Sequence, residues 1–202
     1  MQHSKPIQIV DLFAGPGGLG EGFSSLDDGN TFKIAISAEM DPHAHKTLRL
    51  RAFYRILKKQ GPEALESYYK YCNGIFNEPF DSRTQEAWNE SGEEAKQLTL
   101  GLEKDNLTLR RIIRKKEISP KSPWVLIGGP PCQAYSIVGR ARNSGKENYV
   151  PKDDHRHYLY REYLKIIQEF KPSIFVMENV KGILSSKIDN HNIFHTILTD
   201  WT

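Results

Sequence analysis

Ile7-Gln8-Ile9-Val10-Asp11-Leu12-Phe13-Ala14-Gly15-Pro16-Gly17-Gly18-Leu19-Gly20 is the stretch whose reading decides the fold. Ile7 to Phe13 is a short, mostly apolar run with strand character, and the glycines that follow end it. Beyond them the pattern turns helical through Phe23 and Leu26. Gly15, Gly17 and Gly20 stand in G-x-G-x-x-G spacing between that strand and that helix. Such a loop lets a ligand approach bare backbone, and the helix N-terminus offers unpaired N–H groups. Taken alone, a glycine-rich turn that merely brings helix and strand together reads the same way.

Working outward, Phe32 to Ala38 predicts a second strand that ends at Glu39. An acid there, about 20 residues after the glycines, suits the hydroxyl pair of a ribose, so the cofactor is nucleotide-like. Asp41-Pro42 supplies an N-cap and first-turn proline for a helix running towards Leu57. A third strand, Trp124 to Ile127, runs into Gly128-Gly129-Pro130-Pro131-Cys132-Gln133-Ala134-Tyr135-Ser136. Glycine followed by two prolines cannot continue a strand, and the prolines stiffen the backbone before the thiol. Cys132 is thus either a rigidly mounted nucleophile or the buried cysteine of a structural turn. A further apolar strand, Ser173 to Met177, ends in Glu178-Asn179-Val180, where a carboxylate needs a cleft or a partner. The glycine loop, Glu39, Cys132 and Glu178 each follow a strand, and open parallel sheets bind ligands at the carboxyl ends of their strands. The fold class is α/β with a mostly parallel sheet.

The remaining segments carry less. With 202 residues, 38% hydrophobic and 26% charged, the chain suits one soluble domain with an insertion. A net charge of +3 does not itself diagnose nucleic-acid binding. The two cysteines make no disulfide framework, and no run has the length of a membrane span, so a cytoplasmic location is expected. Residues 58–122 are polar with scattered aromatics after the Gly61-Pro62 break, and read as an insertion. Asn106 to Lys116 reads as an amphipathic basic helix whose charges are a solvated face or a phosphate contact. Gly139 to Lys146 is a basic, glycine-punctuated loop: a lid over an anionic polymer, or a solvated connection. The histidine pairs His43/His45, His155/His157 and His191/His195 lack a third ligand, so no metal is expected.

Asp11 to Gly18, Gly129-Pro130-Pro131-Cys132-Gln133 and Glu178-Asn179-Val180 resemble the first, fourth and sixth motifs of the cytosine-C5 DNA methyltransferases. Asp154-x-Arg156-x-x-Leu159 resembles the motif between the last two. The resemblance implies a Rossmann-like S-adenosylmethionine-dependent methyltransferase fold. Phe13 would stack on the adenine of S-adenosylmethionine and Met40 would pack against it. Gly15, Pro16, Gly17 and Gly18 would approach the methionine part, Glu39 would bind the ribose, and Gly129 and Leu159 would line the methionine end. Cys132 would add to C6 of a cytosine flipped out of duplex DNA, and Glu178 would hold its N3 and exocyclic amine. Asn179 would position the turn, and Pro131, Gln133, Ser136, Arg140, Arg142 and Arg156 would stand on the DNA side.

The family's third motif has no clean match, with Asp105 near Gly101 as its candidate. Its later motifs and target-recognition region find no counterpart before Thr202. Residues 1–202 are therefore expected to be the N-terminal portion of a catalytic domain. On that reading the fold is incomplete at the C-terminus and inactive without the remainder of the enzyme as partner. A restriction–modification enzyme is the expected context. A tRNA cytosine methyltransferase and a noncatalytic or split-subunit module are the alternatives. A nicotinamide dehydrogenase would explain the glycine loop and Glu39 but neither PPCQ nor ENV.

Overall fold

The structure is a computed structural model that describes residues 5–131 and 159–179 together with positions 187, 188, 191, 192, 195 and 199. The chain divides into two compact units, residues 1–99 and 100–202. The architecture is α/β with parallel strands in each unit, as the sequence predicts.

In the first unit, β1 (Ile7–Leu12), β2 (Phe32–Glu39) and β3 (Ala95–Gln97) lie side by side in the order β3-β2-β1. Ile9 pairs with Ile34 and Leu12 with Ala38 across an irregularity after Ile9, and Glu39 pairs with Gln97. Ile9-Val10 and the run from Ile34 to Ala38 are buried without alternation, as parallel strands covered on both faces are. After β1 comes the short α1 (Gly18–Ser24), and Leu26 falls in a separate exposed 3-10 turn. After β2 comes α2 (Pro42–Gln60), begun as the sequence predicts. Asp41 accepts the N–H groups of His43 and Ala44 at 2.9 and 2.8 Å, and Pro42 opens the first turn.

Residues 58–122 hold more of the fold than their polarity suggests. The last turn of α2, a 3-10 turn and α3 (Glu66–Cys72) lead to α4 (Gln85–Glu94), which packs back on α2 and runs directly into β3. Phe53 and Leu57 of α2 bury against Ala87 of α4, and Phe53 meets the Trp88 ring edge-on at 5.3 Å. The Arg49 guanidinium covers the Trp88 ring at 3.8 Å and donates to the Trp88 carbonyl at 3.0 Å. Arg55 pairs with Glu21 of α1 and Glu94 of α4, tying three helices together. The sequence hides β3 because Ala95-Lys96-Gln97 has neither β-branched nor aromatic residues.

In the second unit, α5 (Glu103–Lys115) precedes β4 (Trp124–Gly128), α6 (Tyr160–Phe170) and β5 (Ile174–Met177). β4 and β5 are parallel, with Val125 beside Ile174 and Gly128 beside Met177. Asn106, Leu109 and Ile113 form the buried stripe of α5, and Arg110 meets Glu169 of α6 at 2.8 Å. Arg114 pairs with the same carboxylate, so this part of the basic run serves helix packing. Tyr160, Tyr163, Leu164, Ile166 and Phe170 are the buried residues of α6. Lys171, at φ 50°, closes the helix and donates its N–H to the Ile167 carbonyl at 2.9 Å. β5 is apolar but only half covered, with Ile174 60% and Val176 37% exposed. β6 (Lys187–Ile188) and β7 (His191–Asn192) form a short antiparallel pair.

Candidate active site

The first unit brings the glycine loop and Glu39 together. β1 and β2 end level with each other, and the Ala14 N–H donates to the Ala38 carbonyl at 3.1 Å. Glu39 Oε2 accepts the Gly15 N–H at 2.8 Å, and its Oε1 accepts the Asp41 N–H at 2.7 Å. One buried carboxylate thus holds the loop after β1 and the turn into α2. Each of its oxygens keeps a lone pair for a further donor. Phe13 and Gly15 both stand at φ 56°, so the chain turns sharply at the end of β1. For Phe13 this is a backbone region costing roughly 1–2 kcal/mol, held by its surroundings. Gly17 caps α1 at φ 87°, and a Cβ there would come within 2.7 Å of Leu48. A Cβ at Gly15 or Gly18 would meet nothing within 4 Å, leaving open space beside bare backbone. Met40 is 51% exposed next to this loop end.

Asp11 lies beneath the same loop. It is 1% exposed, and neither carboxyl oxygen has a hydrogen-bond partner among the described residues. Its Oδ2 stands 2.8 Å from where a Gly20 Cβ would be, so only glycine lets α1 approach this close. Burial pushes its carboxyl up to about 7; the Arg55 charge opposes this, and the Glu39 and Glu94 carboxylates add to it.

The second unit brings Gly129 to Pro131 against Glu178 and Asn179. The Glu178 N–H donates to the Gly128 carbonyl at 2.9 Å, carrying the strand pairing one step past β5. A Cβ on Gly129 would come within 2.9 Å of Glu178 Oε2, so the glycine leaves room for that carboxylate. Asn179 Nδ2 donates to the Pro130 carbonyl at 3.2 Å, fixing the turn from its far side. Glu178 itself is exposed. Leu159 touches the backbone at Gly101, where a Cβ would come within 2.8 Å of its Cδ2.

Cys132, Gln133, Ser136, Arg140, Arg142 and Arg156 lie outside the described residues. Two residues that sequence reasoning passed over bond to backbone close to these elements. Gln97, at the end of β3, directs its amide nitrogen to the Met40 carbonyl at 3.4 Å; a carboxamide there can both donate and accept. Asn106 is buried, accepts the Gly101 N–H at 3.0 Å and donates to Glu162 at 3.0 Å. Its signal was present, since it shares a helical stripe with Leu109 and Ile113, where a polar group requires partners. Asp105 sits beside it in the first turn of α5. A cavity of about 540 Å³ is lined by Phe32, Lys33 and Ile34, among others, at the opposite end of β2 from Glu39.

The model of the C-5 cytosine-specific DNA methylase family matches residues 99–201. The type II methyltransferase M.Bpa9945I of Bacillus paralicheniformis is 36% identical over 195 residues, covering 89% of this chain and 42% of its own length. The putative type II methyltransferase M.MjaORF1200P of Methanocaldococcus jannaschii is 30% identical over 88% of this chain and 49% of its own. The type II methyltransferase M.AquIA of Picosynechococcus sp. is 27% identical over 88% of this chain and 50% of its own. The chain therefore spans half or less of the length of these relatives.

Two outcomes are expected of the geometry. The Asp11 carboxyl is held neutral in the fold above its ordinary value of 3.8, so folding takes up a proton between pH 4 and about 7. The stability it permits is fully present below pH 4 and is lost as pH rises through 7. Asp11→Asn removes this dependence. Its stability relative to the natural protein, measured by denaturant unfolding, should rise from pH 5 to pH 8 by on the order of a few kcal/mol. An unchanged difference across that range would contradict the assignment. Gly129→Ala should leave the melting temperature within about 2 °C, because a flexible carboxylate gives way rather than backbone. A crystal structure of the variant should find the Glu178 carboxylate displaced from the turn.

Proposed function

This chain belongs to the C-5 cytosine-specific DNA methylase family, and from that premise we propose that it takes part in methyl transfer from S-adenosylmethionine to C5 of cytosine in DNA. The observation that most supports the reading is the contact of Gly129 and Pro130, three and two residues before Cys132, with Glu178 and Asn179. A nucleophile and a carboxyl group that must grip one small ring need such mounts, since both have to meet the same base.

The residues at the ends of β1 and β2 suit the proposed donor. Glu39 retains one lone pair on each oxygen for the ribose hydroxyls, and the open backbone at Gly15 and Gly18 suits the methionine part. Pro16 and Gly17 complete that turn. Phe13 and the exposed Met40 would enclose the adenine, and Gly129 and Leu159 would line the methionine end. S-adenosylmethionine supplies an electrophilic methyl group.

The chemistry on the base is the work of the protein. Cys132, as thiolate, forms an S–C6 bond with a cytosine flipped out of the duplex, and the displaced electron pair makes C5 nucleophilic. Glu178, hydrogen-bonded to N3 and the exocyclic amine, stabilises the charge that develops on the ring. After C5 has taken the methyl, its proton leaves to water, the S–C6 bond breaks, and the thiolate is restored. Asn179 holds the turn. Pro131, Gln133 and Ser136 would stand beside the base, and Arg140, Arg142 and Arg156 would meet phosphates. The names of the relatives favour a type II modification enzyme.

A duplex carrying 5-fluorocytosine tests this directly, because fluorine at C5 cannot leave as a proton and the thioether is trapped. With S-adenosylmethionine and the protein at its full natural length, mass spectrometry should find one adduct. Cys132→Ala should abolish it, and an adduct that survives that substitution would overturn the assignment.

A further inference from the structure

One buried hydroxyl serves two strands of the second unit. Tyr163, on α6, is 0% exposed and donates its O–H towards the Leu126 carbonyl at 3.1 Å and the Val176 carbonyl at 3.0 Å. A phenol has a single proton, so the two acceptors share it in a three-centre arrangement. Leu126 stands two residues before the end of β4, and Val176 stands one residue before the end of β5. From those points the chain continues to Cys132 and to Glu178.

The other buried residues of α6, Leu164, Ile166 and Phe170, hold the helix without direction, because apolar contact changes little when strands slide by a fraction of an ångström. A hydroxyl bonded to a carbonyl on each strand does not tolerate that slide, since hydrogen bonds weaken quickly with distance and angle. Packing alone has no need of the oxygen. A phenylalanine ring would fill the same space and keep the edge-on contact with Phe175 at 6.4 Å.

We infer that Tyr163 is a positioning residue that locks the axial register of the paired β4 and β5, and through it the separation between Glu178 and the Gly129–Pro131 turn that leads to Cys132. The inference rests on the roles proposed above for those two residues. Tyr163→Phe in the full-length enzyme should slow both turnover and trapping of the 5-fluorocytosine adduct by about tenfold. The KM values for DNA and S-adenosylmethionine should stay within about twofold, because binding does not depend on that separation. Ile166→Ala, on the same helix but without a polar link to either strand, should lower the melting temperature while turnover by folded enzyme is retained.

Unchanged turnover in Tyr163→Phe would overturn the inference. So would a rise in KM at constant kcat, a Tyr163→Phe protein that does not fold, or equal slowing in Ile166→Ala. Parallel Cys132→Ala and natural enzymes separate the two levels. If the natural enzyme traps no adduct, or Cys132→Ala traps one, the underlying assignment falls and the inference falls with it. If both controls behave and Tyr163→Phe matches the natural enzyme, only the positioning role falls.

Discussion

Glu39 is the constraint on which the first unit depends. Its carboxylate sits at the end of β2 and accepts one N–H from the loop after β1 and another from the turn into α2. Hydrogen bonds to a charged group in a buried place are worth about 1.5–3 kcal/mol each, enough to hold a glycine-rich loop that has little side-chain packing of its own. The loop needs that help. Phe13 is held at positive φ, Gly17 is pressed against Leu48, and Gly15 and Gly18 offer backbone to open space. A carboxylate that shapes the loop and still has acceptor capacity joins the fold of the unit to its capacity for a ligand.

The second unit solves a related problem with different parts. Gly128 to Pro131 leaves the sheet at the end of β4, and neither glycine nor proline can bind the turn to its surroundings with a side chain. Glu178 and Asn179 do this from just past the end of β5, through the Glu178 N–H on Gly128 and the Asn179 amide on Pro130. The turn from Gly128 to Pro131 and the pair Glu178-Asn179 are therefore linked by one backbone and one side-chain hydrogen bond before any chemistry is considered. Gly129 has no side chain because the Glu178 carboxylate occupies the neighbouring space.

Much of this was legible in the residues. β1, β2, β4 and β5 announce themselves as apolar runs cut off by glycine or by an acid, and Asp41-Pro42 marks the start of α2. The acid at position 39 was legible because its distance from the glycines fits two adjacent strands. What escaped is polar or short. β3 is three residues with weak strand propensity, and it joins the sheet because α4 delivers it beside β2. The basic run of α5 looked like a solvated or phosphate-binding face, but Arg110 and Arg114 close on Glu169, a partner 55 or more residues away. Tyr163 lies on the apolar stripe of α6 with Tyr160 and Leu164, but nothing local says that its hydroxyl meets two strands.

The account turns most on the double duty of Glu39, and isothermal titration of S-adenosylmethionine into the full-length protein measures it directly. Glu39→Gln removes one acceptor oxygen and the charge while preserving size. It should weaken binding by at least about tenfold, consistent with the loss of charge-assisted bonds to loop and ribose. Affinity equal to that of the natural protein, in a Glu39→Gln variant with an unchanged melting temperature, would contradict the claim that this carboxylate organises the site.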